Sequence, residues 1–161
     1  MRNHDGRAAA VYGACAAAWI GLMFFFSGQS GAESGSLSEA VTRWLFGWMI
    51  ERGADFDTLH LLTRKLAHAG IFAVEGWLAG MALLHLVDAK RAFLLTLFWC
   101  AAMAVLNELH QTMAAGRVCS VRDMVIDTCG AAAGLLLAVV VWHAFSAFKR
   151  RNGENTDITG D

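Results

Sequence analysis

Four apolar runs, each close to the length that crosses a bilayer, constrain this chain more than any other feature. A hydrocarbon core of about 30 Å takes roughly 20 helical residues to cross. In lipid only helices or closed barrels satisfy their backbone polar groups, and these runs are too long and too little alternating for barrel strands. We therefore predict an all-α, polytopic membrane bundle with four spans, over residues 8–26, 66–87, 92–109 and 124–148.

Composition supports the same class. Hydrophobic residues make up 57% of the 161 residues and charged residues only 17%, with no proline, which exceeds the apolar share of a soluble domain. No basic patch stands out, so nucleic acid is not an expected partner. We predict one domain over residues 1–151 and a disordered polar tail over residues 152–161. A cleaved signal peptide is an alternative for the first run, which nevertheless ends in three phenylalanines.

The segment between the first two spans is predicted to contain a further helix. Ser36 is followed three residues later by Glu39, the spacing of a capping box. Apolar side chains, among them Trp44 and Trp48, then recur at helical spacing. We predict an amphipathic helix over residues 37–51, which either lies in the outer interface with its tryptophans at headgroup level or packs on the outer mouth of the bundle.

The basic residues indicate an orientation. They cluster before the first span, in the turn between the second and third spans, and after the fourth, at Arg2 and Arg7, Lys90 and Arg91, and residues 149–151. The positive-inside rule places all three clusters in the cytoplasm. The expected location is therefore a bacterial plasma (inner) membrane, crossed several times, with both termini cytoplasmic.

Ionisable side chains inside membrane helices are costly, so each is a functional candidate. On the second span Lys65, His68 and Glu75 share one helical stripe, with Glu75 about 15 Å deeper than Lys65. The third span runs outward to Glu108 and Gln111, and the fourth starts with Asp123 and Asp127. Topology therefore predicts one cluster at the outer membrane face: Lys65, His68, Glu108, Gln111, Arg117, Asp123 and Asp127.

These residues fall in a recognisable series: Lys65 and His68, then Asn107, Glu108 and Gln111, Gly116 and Arg117, Ser120 and Asp123, and Gly130 and Gly134. The series resembles the VanZ-like family, with its Lys-x-x-His, acidic-Glu-x-x-Gln, Gly-Arg, Ser-x-x-Asp and Gly-x-x-x-Gly elements. This chain differs from that pattern at four positions: Asn107, Phe72, Ala115 and Asp127 stand where the family usually has Asp, Tyr, Pro and Asn. The resemblance implies a role at the cell envelope and, for the family's namesake, an effect on teicoplanin susceptibility.

Three functional hypotheses follow. The first is a binding module, in which Lys65, Gln111, Arg117 and Asp127 hold a membrane lipid headgroup, a lipid-linked envelope precursor or a lipophilic glycopeptide antibiotic and so contribute to antibiotic resistance. The second is a hydrolase or phosphoryl-transfer enzyme on a lipid-linked substrate, with catalytic residues Glu108, His68 and Asp123. The third is a purely structural set of ion pairs. Whether the chain is an enzyme stays open at this point.

No metal or other cofactor is expected from the sequence. His68, Glu108, His110 and Asp123 carry suitable donor atoms, but no close-spaced ligand motif joins them. Glu75 admits two interpretations, a proton relay or transport path, and a carboxyl group neutralised by its own proton or by a helix partner such as a hydroxyl.

Overall fold

The computed structural model describes residues 5–157, with side chains over residues 5–149, and these residues form five helices and no strand. The helices are α1 (Gly6–Ser27), α2 (Gly31–Ile50), α3 (Phe56–Leu84), α4 (Ala89–Gln111) and α5 (Val121–Asp157). Four of them, α1, α3, α4 and α5 as far as Lys149, are long and apolar enough to cross a membrane. The prediction of an all-α fold with four such helices is therefore confirmed.

Helix α3 begins ten residues before the predicted start of the second span at Leu66. Its N-cap is Asp55, whose carboxylate accepts hydrogen bonds from the Thr58 backbone N–H at 2.9 Å and the Thr58 hydroxyl at 2.6 Å. The predicted span starts after Arg64 and Lys65 because the prediction looked for uncharged runs. Charged residues end an apolar run, but the helix continues through them. The site residues near position 65 consequently lie well inside a regular helix.

Helix α2 also starts earlier than predicted. The capping box is built by Ser30 and Glu33, not by Ser36 and Glu39, and α2 runs from Gly31. It packs against α3 and buries Thr42, while Trp44 is 82% exposed. The structure thus places α2 on the bundle and leaves its tryptophans uncovered, and their position at headgroup level stays a prediction.

The centre of the bundle is the crossing of α3 and α5, which is built from small residues. A Cβ atom added to Gly130 or Gly134 would overlap the backbone of Ala69 or Ala73, respectively, and one added to Gly76 would overlap that of Ala131. In lipid, helices associate through close van der Waals packing, which small residues permit. The two backbones therefore meet directly, and the residues beside them are held at fixed positions.

The other spans pack around this crossing. Met23 of α1, Phe72 of α3 and Cys100 of α4 belong to one buried cluster, and the Trp19 indole N–H donates to the Ile71 carbonyl at 2.9 Å. Large side chains such as Phe98 and Phe145 point outward and are at least 70% exposed, as expected for lipid-facing surface.

At the carboxyl end, α5 continues through Asp157, beyond the boundary at residue 152 from which the sequence predicted a disordered tail. No proline interrupts the helical hydrogen bonds there, and each further residue adds one such bond. Residues 158–161 of the predicted tail, and Arg2 of the predicted cytoplasmic cluster, lie outside the described residues.

Candidate functional site

The predicted polar residues gather at the end of the bundle where α1 and α4 finish and α5 begins, beside residues 64–68 of α3. The chain after α1 is tied to the α4–α5 connection, because the Gly31 N–H donates to the Ala115 carbonyl at 2.9 Å. The Ser27 hydroxyl lies 3.4 Å from the Asn107 carbonyl oxygen and 3.3 Å from His110 Nδ1. We call this end of the bundle, together with residues 112–120, the polar end.

The central pair at the polar end is His68 of α3 and Asp127 of α5. His68 Nδ1 lies 3.1 Å from Asp127 Oδ1, and Asp127 is fully buried. The pair sits next to the contact of Ala69 with Gly130, one of the points where the backbones of α3 and α5 meet directly. The glycine pattern of α5 therefore positions this pair.

Glu108 adds α4 to the site, beside α3 and α5. Its Oε2 atom accepts a hydrogen bond from the Ser120 backbone N–H at 2.8 Å, while Oε1 is buried and has no hydrogen-bond partner among the described residues. Ser120 also caps α5, since its hydroxyl accepts from the Asp123 N–H at 3.2 Å. The Ser-x-x-Asp element thus starts α5 and fixes the carboxylate of Glu108 at the same time.

A looser ion pair lies nearer the surface. Lys65 Nζ is 3.7 Å from Asp123 Oδ1, and the two side chains are 28% and 32% exposed. Exposed or half-exposed pairs at this distance contribute less than about 1 kcal/mol. Asp123, predicted from the sequence as a catalytic residue, forms its ion pair with Lys65, and Asp127 rather than Asp123 holds His68.

Two arginines, Arg64 and Arg117, add positive charge to the polar end. Arg117 follows Gly116, whose φ of +74° favours glycine, and Arg117 Nη2 donates to Gln111 Oε1. Burial lowers the pKa of Arg117, and the neighbouring charge of Arg64 lowers that pKa further, against the raising effect of Glu108 and Asp123. Among the described side chains, neither arginine has a carboxylate oxygen within 4.0 Å.

A cavity of about 280 Å³ opens beside these residues, between α1, α2, α3, the end of α4 and the α4–α5 connection. Its apolar wall includes Met23, Phe26, Leu37, Val41, Ile71 and Phe72, and its polar wall includes Arg64, His68, Asn107, Gln111 and Arg117. The cavity therefore has an apolar side and a cationic side, as a site for an amphiphile requires.

Sequence reasoning missed two of these residues. Arg64 lines the cavity, whereas Lys65, the predicted cation, does not. Arg64 lies four residues before His68 and hence on the same helical face, which is a signal that the sequence contained. Asn107 also lines the cavity, and its Oδ1 atom is buried without a partner.

Glu75 lies apart from the polar end. The Trp99 indole N–H donates to Glu75 Oε1 at 3.1 Å, and the carboxylate borders a second, mainly apolar cavity of about 500 Å³ between α1, α3 and α4. The helix partner of this carboxyl group is thus an indole and not the hydroxyl suggested from the sequence. The proton-relay interpretation stays a prediction.

The comparisons with known proteins agree with the motif series. The family profile described as VanZ/LLP1 matches residues 12–142, which include all five helices in whole or in part. No curated protein and no solved structure shows a significant match to the chain.

Proposed function

The chain belongs to the VanZ/LLP1 family, and from the cavity at its polar end we propose that it is a membrane protein that binds an amphiphile with an anionic headgroup. The proposed ligand is a phospholipid or a lipid-linked envelope precursor. One observation carries this proposal: a cavity lined largely by apolar side chains is also lined by two arginines that lack carboxylate partners among the described side chains.

The arginines suit a phosphate or carboxylate group. A guanidinium group offers five N–H donors in a planar fork that matches such an anion, and charge-assisted hydrogen bonds of this kind are among the strongest in proteins. Arg117 uses one donor nitrogen on Gln111, and its remaining donors are available to a ligand. Gln111, 5% exposed, then acts by holding Arg117 in place.

The apolar wall suits the tail of the same ligand. Phe26 and Leu37 line the cavity and are also half-exposed at the outside of the bundle, so an acyl or prenyl chain could leave the cavity toward lipid without crossing a polar surface. A lipophilic glycopeptide would use the same two walls, which is how we connect the site to teicoplanin tolerance. In the orientation set by the positive-inside rule, the polar end faces away from the cytoplasm.

A second candidate function is hydrolysis of a lipid-linked phosphate ester, and the His68–Asp127 pair favours it. Asp127 holds Nδ1 of His68, whose Nε2 makes no hydrogen bond to the described residues. In this candidate, Nε2 accepts a proton from a water molecule whose oxygen bonds to phosphorus, and it returns that proton to the lipid oxygen as the bond from phosphorus to that oxygen breaks. Arg64 and Arg117 would stabilise charge on the phosphoryl group.

Lipid titration tests the binding proposal. The full chain in detergent is titrated with phosphatidylglycerol or phosphatidylcholine and followed by native mass spectrometry. We expect a preference for phosphatidylglycerol, and Arg117→Ala and Arg64→Ala should each weaken its binding by about tenfold, the loss of a charge-assisted hydrogen bond of roughly 1.5 kcal/mol. Arg43→Ala is the matched control, because Arg43 pairs with Glu39 on the exposed face of α2.

Equal affinities for the two lipids, or equal weakening by all three arginine substitutions, would contradict the binding proposal. The same proteins incubated with a polyprenyl phosphate distinguish the second candidate. Release of inorganic phosphate that is lost in His68→Ala and Glu108→Gln supports the enzyme, whereas lipid binding with no phosphate release in the wild-type protein supports binding alone.

A further inference from the structure

Three helices each bring one metal-binding type of side chain to a single point at the polar end. His68 of α3, Glu108 of α4 and Asp127 of α5 each offer one donor atom, and these three atoms lie within 4.8 Å of one another. Both carboxylates are fully buried, and the imidazole is 20% exposed. The three residues are far apart in sequence, so no ligand-spacing motif predicts the cluster.

Two of the buried oxygens in this cluster have nothing to bind. Glu108 Oε1 and Asp127 Oδ2 make no hydrogen bond to any described residue. A buried acceptor without a partner costs about 1–3 kcal/mol, and more when it is charged, so such atoms usually have a water molecule or an ion beside them. Two carboxylates placed side by side also repel each other, which a cation would reverse.

From this geometry we propose that His68, Glu108 and Asp127 bind a divalent metal ion. Glu108 Oε2 is already occupied by the Ser120 N–H at 2.8 Å, a contact of the kind that holds a ligand side chain in orientation around a metal. His68 Nδ1 lies 3.1 Å from Asp127 Oδ1, so the imidazole nitrogen and the Asp127 carboxylate face the same point. The donor atoms for the ion are Glu108 Oε1, His68 Nδ1 and one oxygen of Asp127, and the ion would replace the direct contact between the last two.

The donor set selects the kind of ion. One imidazole nitrogen with two carboxylate oxygens suits Zn²⁺ or Mn²⁺ better than Ca²⁺ or Mg²⁺, which prefer oxygen alone. Metal–ligand distances of about 2.0–2.2 Å place the donors of a tetrahedral site about 3.4 Å apart, so the three side chains need to close in by little more than 1 Å. Three protein ligands leave at least one position open for water or for an anion.

The metal site goes beyond headgroup binding and does not depend on it, because none of the three proposed ligands is an arginine of the cavity. The metal site nevertheless lies next to the cavity in which the headgroup is proposed to bind. His68 lines the cavity, so an anionic ligand held by Arg64 and Arg117 would lie close to the open position of the ion.

The test uses the full chain, purified without a polyhistidine tag and stripped with a chelator. After dialysis against Zn²⁺ or Mn²⁺, elemental analysis should give about one ion per chain, and the unfolding temperature should rise with metal concentration. Glu108→Gln and Asp127→Asn, which keep the size of each side chain, should each weaken binding at least tenfold. Glu75→Gln, which changes a buried carboxylate away from the polar end, should bind metal like the wild-type chain.

Two results would overturn the metal site: a stripped wild-type chain that takes up neither ion, or a Glu108→Gln variant that binds as well as the wild-type chain. If the variants fail to fold, the absorption spectrum of the wild-type chain loaded with Co²⁺ still tests the site, because it reports which kinds of ligand atom bind the ion. Nitrogen and oxygen ligation without a thiolate charge-transfer band supports the site. A thiolate band would assign the ion to a cysteine, such as the exposed Cys119, and would also overturn it.

Discussion

Gly134→Ala should destabilise the folded bundle by about 3 kcal/mol, although alanine is the better helix former by about 1 kcal/mol. The added Cβ would overlap the backbone of Ala73, lying 2.9 Å from its Cα atom. Backbone cannot move aside as a flexible side chain does, so α3 and α5 must separate. Because these two helices position His68 and Asp127, the metal and lipid sites should weaken together.

Gly70→Ala is the matched control for this substitution. Gly70 also lies in a membrane span, in α3, but a Cβ atom there would meet nothing within 4 Å. We expect its unfolding midpoint in detergent, measured by circular dichroism, to equal or exceed that of the wild-type chain. If Gly134→Ala and Gly70→Ala unfold at the same midpoint, the close crossing of α3 and α5 is wrong.

The second large effect concerns the buried pair of His68 and Asp127. His68→Leu should cost about 3–5 kcal/mol, because it leaves a fully buried carboxylate without its partner. Replacing both residues by leucine should recover most of that loss, since apolar side chains often replace a buried ion pair at little cost. The free energies of unfolding are measured with a chelator present, so that a bound ion contributes nothing.

Lys65→Met breaks the more exposed ion pair of the polar end, and its loss of stability is compared with that of His68→Leu. Asp123, the partner of Lys65, is 32% exposed and can return to water, so we expect a loss below about 1 kcal/mol. Strictly additive losses for His68→Leu and Asp127→Leu would show that the two side chains do not interact, and would contradict the geometry of the polar end.

Much of the fold follows from the sequence because lipid leaves few alternatives. An apolar run of about 20 residues must cross as a helix, and four crossings in series bring the start of span two, the end of span three and the start of span four to the same side. Lys65, Glu108 and Arg117 could therefore be grouped without any structure. The start of α3 could not be located in this way, because Asp55 and Thr58 cap it in a polar segment that hydropathy treats as a loop.

The sequence predicted which residues form the site more readily than it predicted which of them pair with each other. Asp123 and Asp127 lie on one stripe of α5, and either could have faced His68 by spacing alone. The choice depends on how far α3 and α5 are offset along their axes, which the contact of Ala69 with Gly130 sets. Side-chain volumes across a helix crossing fix such an offset, and the periodicity of one helix carries no information about it.

The metal cluster escaped sequence reasoning for a related reason. His68, Glu108 and Asp127 come from three different helices, and a ligand motif is visible in sequence only when its members share one helix or loop. The two unpartnered oxygens are properties of the packed structure alone.

The most direct test of the central claim, an anionic headgroup held at the polar end, is photolabelling with a phospholipid that carries an anionic, diazirine-bearing headgroup. In nanodiscs containing the full chain, we expect the label in the peptides around residues 27–34 and 112–120, and much less of it in Arg117→Ala. Labelling concentrated instead at the opposite end, in the α3–α4 turn near Lys90 and Arg91, would contradict the account.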